Sequence, residues 1–279
     1  MRRVNYENEY NNRKRVRDSG EIAERWAAAS DAFREAAADR SERDIAYGDG
    51  ERQKYDLFSP AEGAGDAPVI AYVHGGYWQR GDRKEYSCVA EKLTEAGFRV
   101  ALPSYSICPD VQIMDIVGEL RTFAAELYKK TNRAPLVVGH SAGGHLAAAL
   151  LATDWSEHAD APADLVTRAY AISGVFGLRP LVRTSLNDAL DLDNDSADAA
   201  SPLAWDAPKP GRTLIAAVGA SESREFVRQS LEIAGTWGEA GVTTECVLVP
   251  NANHFTVVDQ VMTPGSGVFE RIAGLAREA

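Results

Sequence analysis

Residues 139–143 read Gly-His-Ser-Ala-Gly, and no other stretch restricts what this chain can fold into as strongly. An apolar, strand-like run at 134–138 leads into them, and a small-residue run with helical character, 142–152, leads out. A serine between a strand and a helix, with glycine two residues to either side, marks a turn too tight for bulk at those neighbours. A Cβ at Gly139 or Gly143 is expected to strike the strand or helix packed behind the turn. The turn pushes Ser141 Oγ out at the sheet edge and sets it at the positive end of a helix. Backbone N–H groups there can hold a developing oxyanion. Ser141 is the candidate nucleophile and the Ala142 N–H a candidate oxyanion donor.

A second glycine motif, His74-Gly75-Gly76-Tyr77-Trp78, follows the apolar run 69–73. Its glycines can turn backbone N–H groups toward a substrate carbonyl, which makes Gly75, Gly76 and Tyr77 the other candidate oxyanion donors. The alternative is a glycine turn with a buried Tyr-Trp pair. A serine needs a base, and the chain has five histidines. His74 belongs to the glycine motif, His140 precedes the serine, His145 lies within the following helix, and His158 sits in a polar stretch. His254 stands on a loop after the strand-like run 245–249, where a base is expected. For the orienting carboxylate, Glu222 lies on the loop after the strand-like run 213–219, and Glu225, three residues on, is the alternative. Asp188, Asp191, Asp193, Asp195 and Asp198 lie in a polar run that reads as surface. Tyr77, Trp78, His140 and Phe255 flank these groups and are expected to line the substrate pocket, although Trp78 fits equally well pointing into the core. Large rings there favour a short acyl group and an aromatic leaving group.

Strand and helix patterns alternate. Strands are expected near 69–73, 98–102, 134–138, 166–172, 213–218 and 243–249, and helices near 84–96, 111–130, 142–152, 224–240 and 265–277. Before them come an alanine-rich helix at 21–38, with Ile22, Trp26, Ala29 and Phe33 on one stripe, and two strands at 45–48 and 54–58 joined by a glycine turn. Alternation of this kind means a mostly parallel sheet with helices on both faces, whose functional loops lie at the carboxyl ends of the strands. Ser141, Glu222, His254 and the 74–78 loop all follow strands, so all map to one edge. The stretch 174–211 is long for a connection. It reads as a small cap over the site, with a plain surface loop as the alternative.

These motifs resemble the α/β-hydrolase family, and within it the kynurenine formamidase (arylformamidase) and bacterial esterase group. The likeness rests on His74-Gly75-Gly76-Tyr77-Trp78, on the elbow from Gly139 to Leu146, on Asn253-His254-Phe255, on the stretch 218–230 around Glu222, and on Tyr10-Asn11-Asn12. The resemblance implies an α/β-hydrolase fold and a serine hydrolase that cleaves a short-acyl ester or an N-acyl (N-formyl) aromatic amide. A short-chain carboxylesterase is the alternative, and a non-catalytic binding protein is the reading of a different class. Two positions depart from the group: Glu222 stands where it usually has Asp, and Gly177 where Phe-Asp-Leu is common.

At 279 residues the chain fits one domain, 1–279, with an N-terminal helical segment at 20–40. Its net charge of −11 argues against nucleic acid and anionic membranes as partners. The basic cluster Arg13, Lys14, Arg15 and Arg17 reads as a solvated turn. Three cysteines are too few for a disulfide framework and show no metal spacing, so no metal or cofactor is expected. The first residues lack an apolar signal-like core and no run is long enough to span a bilayer, so a cytoplasmic protein acting on a small molecule is expected. A homodimer stays open.

Overall fold

In the computed structural model, which describes residues 4–158 and 161–279, the strand patterns assemble into one eight-stranded sheet. The strands are β1 (Ser41–Ala46), β2 (Lys54–Phe58), β3 (Val69–Val73), β4 (Arg99–Pro103), β5 (Pro135–His140), β6 (Arg168–Ile172), β7 (Thr213–Gly219) and β8 (Thr243–Val249). Their spatial order is β1-β2-β4-β3-β5-β6-β7-β8. β2 is antiparallel to both β1 and β4, and β3 through β8 run parallel. From β3 the chain first moves outward to β4, then returns to lay β5 on the other side. The carboxyl ends of β3 and β5 therefore flank the point where strand order reverses, where open α/β sheets hold their ligands. Val73 pairs with Gly139, which brings the 74–78 loop and Ser141 together.

The inner strands β3 to β7 are apolar without alternation because both faces are covered, whereas the edge strands β1 and β8 alternate between covered and exposed residues. Val69, Ala71 and Val73 face one core layer with Val137, Ala169 and Leu214. Ile70 and Tyr72 face the other with Leu136, Tyr170 and Ile215. Eleven α-helices accompany the sheet among the described residues: α1 (Tyr6–Tyr10), α2 (Asn12–Arg15), α3 (Ser19–Ala36), α4 (Val89–Glu95), α5 (Ile113–Thr131), α6 (Ala142–Ala152), α7 (Asn187–Leu190), α8 (Asn194–Ala199), α9 (Arg224–Glu239), α10 (Thr256–Asp259) and α11 (Gly267–Arg277). The first layer is closed by α5, α6 and α9 through Ile116, Leu120, Leu146 and Ile233. The second is closed by α3, α4 and α11 through Trp26, Phe33, Leu93 and Ile272. Each fully buried aliphatic or aromatic side chain contributes about 1.5–3 kcal/mol.

Two elements differ from expectation. The helix expected at 84–96 covers only Val89–Glu95, because residues 82–89 form successive three-residue turns, such as Glu85 N–H to Asp82 carbonyl at 3.0 Å. There Arg83 is buried and hydrogen-bonded to Asp56 and Ser104. The entry hairpin begins at Ser41 rather than at Ile45. Residues 174–211 contain α7, α8 and two 3-10 turns, Arg179–Arg183 and Pro202–Ala204. No helix among the described residues is long and apolar enough to cross a membrane.

Candidate active site

Ser141 occupies the turn between β5 and α6 with φ 57° and ψ −117°. That conformation is costly for a residue with a Cβ and is held by its surroundings. Its N–H donates to the Ile172 carbonyl at 2.8 Å, and its own carbonyl accepts the His145 N–H at 3.1 Å. The flanking glycines are required by contact. A Cβ on Gly139 would lie 1.9 Å from the Gly143 carbonyl oxygen, and one on Gly143 would lie 2.0 Å from the Val73 carbonyl oxygen.

The 74–78 loop presses on this elbow. A Cβ on Gly75 would meet the His140 carbonyl at 2.9 Å and Ser141 Cβ at 3.0 Å. Gly76 (φ 124°), Tyr77 (φ 53°) and Trp78 (φ 56°) all have left-handed backbone. Only the first is glycine, and a Cβ there would lie 2.2 Å from the Arg80 carbonyl oxygen. His74 is packed between Tyr105 and Tyr86, with ring centroids 4.4 and 5.6 Å away. Burial lowers its pKa to about 4, so it is a neutral prop for the loop.

His254 sits on the loop after β8. Its Nδ1 donates to Glu222 Oε2 at 2.7 Å, and both side chains are essentially buried. A proton on Nδ1 leaves Nε2 free to accept another. The other Glu222 oxygen accepts the Gly219 N–H at 2.8 Å and the Ser173 hydroxyl at 2.5 Å. The Ser223 side chain caps α9 one residue later. Glu225, the alternative acid, is turned away from His254. It accepts the Tyr10 hydroxyl at 2.9 Å and pairs with Arg228 at 2.8 Å.

Ser141, His140, His254, Gly76, Tyr77 and Phe255 line one cleft of about 360 Å³. His140 Nε2 donates to the His254 carbonyl at 2.8 Å and thereby holds that loop. Burial, with the neighbouring His254 charge, pushes its pKa well down. Trp78 departs from the pocket expectation. Its ring is fully buried and packs edge-on against His145 at 4.9 Å, so it props the loop from behind instead of lining the cleft. His145 donates to the Ala200 carbonyl at 2.7 Å and does not face Ser141. The acidic run at 188–198 is mostly exposed, and Asp198 pairs with Arg179. Among the described residues no group of three or more His, Cys, Asp or Glu side chains could hold a metal ion.

Several contributors escaped the sequence reading. Asn11, Asn12, Arg13 and Trp26 form part of the cleft wall, with Ser185 and Leu186 from the 174–211 excursion. The basic cluster Arg13, Lys14, Arg15 and Arg17 is exposed, as expected of a solvated turn, and its first residue also lines the cleft. It is held there by Tyr10, whose carbonyl accepts from the Tyr77 hydroxyl and whose own hydroxyl accepts from Gln229 Nε2 at 2.5 Å. Glu7 accepts from the Ser185 N–H at 2.8 Å and joins the same segment to the excursion. In the sequence, Tyr10-Asn11-Asn12 carries a family likeness and no sign of its place at the cleft. Ser173 could have been suspected from its place just past the end of β6, beside the strand that carries Glu222.

The BD-FAE family model matches residues 55–201, more than half of the chain. Kynurenine formamidase of Danio rerio is 29% identical over 225 residues, which cover 78% of this chain and 76% of the relative. The solved structure of a protein described as a candidate thioesterase, from a Silicibacter species, is 30% identical with a TM-score of 0.86, covering 97% of this chain and all 100% of that one. Esterase B of Lactobacillus rhamnosis superposes with a TM-score of 0.71 at 19% identity, over 93% of this chain and 94% of its own, a likeness of fold.

Proposed function

The chain belongs to the BD-FAE family and has the α/β-hydrolase fold, and from that premise we propose that it is a serine hydrolase for short-acyl esters or N-acyl, above all N-formyl, aromatic amides. One observation carries the proposal: the Glu222–His254 hydrogen bond of 2.7 Å stands beside a strained Ser141, and the serine and histidine open on one cleft. In the proposed mechanism His254 Nε2 takes the Ser141 proton as Oγ attacks the acyl carbon. Glu222 keeps the imidazole in the Nδ1–H tautomer and stabilises the imidazolium that forms. The N–H groups of Ala142 and of the Gly75–Tyr77 stretch hold the oxyanion. Collapse breaks the acyl C–N or C–O bond, and His254 delivers its proton to the departing amine or alcohol. Water, deprotonated by the same histidine, then releases the acid and restores Ser141.

Support for a short acyl group and an aromatic leaving group comes from the cleft walls, where Trp26, Tyr77, Tyr86 and Phe255 supply rings. The kynurenine formamidase relative supports the N-formyl aryl amine. The mechanism calls on no cofactor. Three unpaired cysteines support a reducing compartment such as the cytoplasm.

The test is a comparison of N-formylkynurenine with p-nitrophenyl acetate, butyrate and octanoate. kcat/KM should fall steeply with acyl length, Ser141→Ala should lose on the order of 10³-fold or more in kcat, and a serine-directed phosphonate should label Ser141. A label elsewhere, or a preference for octanoyl chains, would overturn the proposal.

A further inference from the structure

The end of β6 touches both halves of the proposed machinery. The Ile172 carbonyl accepts the Ser141 N–H at 2.8 Å. One residue on, the Ser173 hydroxyl donates to Glu222 Oε1 at 2.5 Å. Ser173 is fully buried, and its backbone is left-handed with φ 52°, which a residue with a Cβ adopts at a cost. Its N–H donates to the Ala217 carbonyl at 2.7 Å and ties that backbone to β7. Glycine would fit here without strain. What serine adds is one hydroxyl, and that hydroxyl goes to the carboxylate that meets His254.

Glu222 has a use for it. Its side chain is shut off from solvent, so protein donors alone must hold the charge. A glutamate has one side-chain torsion more than an aspartate, and the last one, which turns the carboxylate plane, is broad. A single donor on one oxygen leaves that turn open. Here two donors from neighbouring strands converge on Oε1: the Gly219 N–H at 2.8 Å, from the end of β7, and the Ser173 hydroxyl, just past β6. Together they fix the plane and leave Oε2 facing His254 Nδ1 at 2.7 Å. The first donor is backbone, which nearly any residue supplies, so the orientation depends on the side chain of Ser173. Ser173 does not line the cleft. We infer that Ser173 is a positioning residue of the proposed reaction, one that presets Glu222 for the imidazolium that forms on His254 and never touches the substrate. A preset acid has no reorganisation to make when that charge appears, so losing Ser173 should slow turnover and leave binding alone. The inference rests on the serine-hydrolase reading above and adds a fourth side chain to its machinery.

The test measures kcat and KM for p-nitrophenyl acetate in Ser173→Ala and Ser173→Gly, each alone and combined with Glu222→Gln. Either single variant should lose roughly 10- to 100-fold in kcat, the worth of a buried hydrogen bond to a charged group, with KM within about twofold of the wild type. In the Glu222→Gln background the same replacement should change kcat by less than about twofold, because no carboxylate remains to be turned. The glycine variant relieves the left-handed backbone, so it decides the matter if the alanine variant folds poorly. A folded glycine variant that loses less than about tenfold overturns the inference, and so does an equal loss in both backgrounds, which is the mark of a structural role. Turnover that is present in the wild type and abolished in Ser141→Ala leaves the hydrolase reading standing in either case. A folded wild type that turns over neither p-nitrophenyl acetate nor N-formylkynurenine removes the hydrolase reading and the role of Ser173 with it.

Discussion

The floor and the wall of the cleft are built by different physics. The floor, comprising Ser141, the 74–78 loop and the Glu222–His254 pair, is specified by backbone crowding and by hydrogen bonds between loops that neighbouring strands place side by side, the Glu222–His254 bond spanning 32 residues. Gly139, Gly143 and Gly75 stand where a Cβ would come within 3 Å of a neighbouring carbonyl, and Glu222 folds back onto the Gly219 N–H three residues earlier. The wall is specified by long-range side-chain contacts. Tyr10 reaches Glu225 across 215 residues of sequence, and Glu7 reaches Ser185 across 178. A site assembled in this way can keep its chemistry while its specificity drifts, because a change in the wall leaves the elbow geometry untouched.

The largest test of that division concerns the acid. In Glu222→Gln the amide nitrogen would face the His254 Nδ1–H and press the ring toward the wrong tautomer, so kcat should fall on the order of 10³–10⁴-fold with binding retained. Glu225→Gln removes a carboxylate that serves Tyr10 and Arg228. It should leave kcat within about threefold and loosen the wall. Near-normal turnover in the first variant with a collapse in the second would reverse the assignment of floor and wall.

Acid should strain both regions, and the sign follows from three buried histidines, with His140 pushed well below its ordinary pKa by burial. His74 in the floor and His145, which ties α6 to the Ala200 carbonyl, are each lowered from 6.5 to about 4, chiefly by burial. Between those values the unfolded chain binds protons that the folded chain refuses. Stability is therefore full above about pH 6.5 and is lost as pH falls toward 4. Each should cost about 2 kcal/mol between pH 7.5 and pH 5. Urea unfolding at the two pH values measures the loss. His145→Phe should keep the ring between Trp78 and Trp205 and remove its own share of the difference, about 2 kcal/mol. An undiminished pH difference in that variant would show that His145 titrates normally.

The contrast between floor and wall also explains what could be read from the sequence. The elbow, the glycine loop and the sheet were legible because their demands fall within a few residues: tight turns need glycine, and doubly covered strands need unbroken apolar runs. Glu222 and Glu225 could not be separated by spacing alone. The difference lies in what each touches, and Tyr10, the partner that turns Glu225 away, is at the other end of the chain. Trp78 could not be oriented because its direction depends on left-handed backbone at Tyr77 and Trp78, which their residue types disfavour. Arg13 is exposed, as a solvated turn requires, but its place beside the cleft is set by Tyr10, which anchors α1 against Gln229 and the Tyr77 hydroxyl from outside the local sequence.

The smallest expected effect falls on the wall itself. Tyr10→Phe keeps the ring that packs on Phe226 at 5.7 Å and keeps the carbonyl that accepts the Tyr77 hydroxyl. It removes one hydroxyl, which leaves Gln229 Nε2 with the Gly177 carbonyl, at 3.0 Å, as its remaining acceptor and Glu225 with one donor fewer. Loss of a buried hydrogen bond of this kind costs about 1–3 kcal/mol, and Arg228 compensates on the carboxylate side, so the lower end is expected. Thermal unfolding should register it. In the enzyme the loss should appear as a KM raised a few-fold for substrates that reach Asn12 and Arg13, with kcat for p-nitrophenyl acetate nearly unchanged. A kcat that fell as steeply as in Glu222→Gln would mean that the N-terminal segment positions the reacting groups, and the wall would then have to be counted as part of the floor.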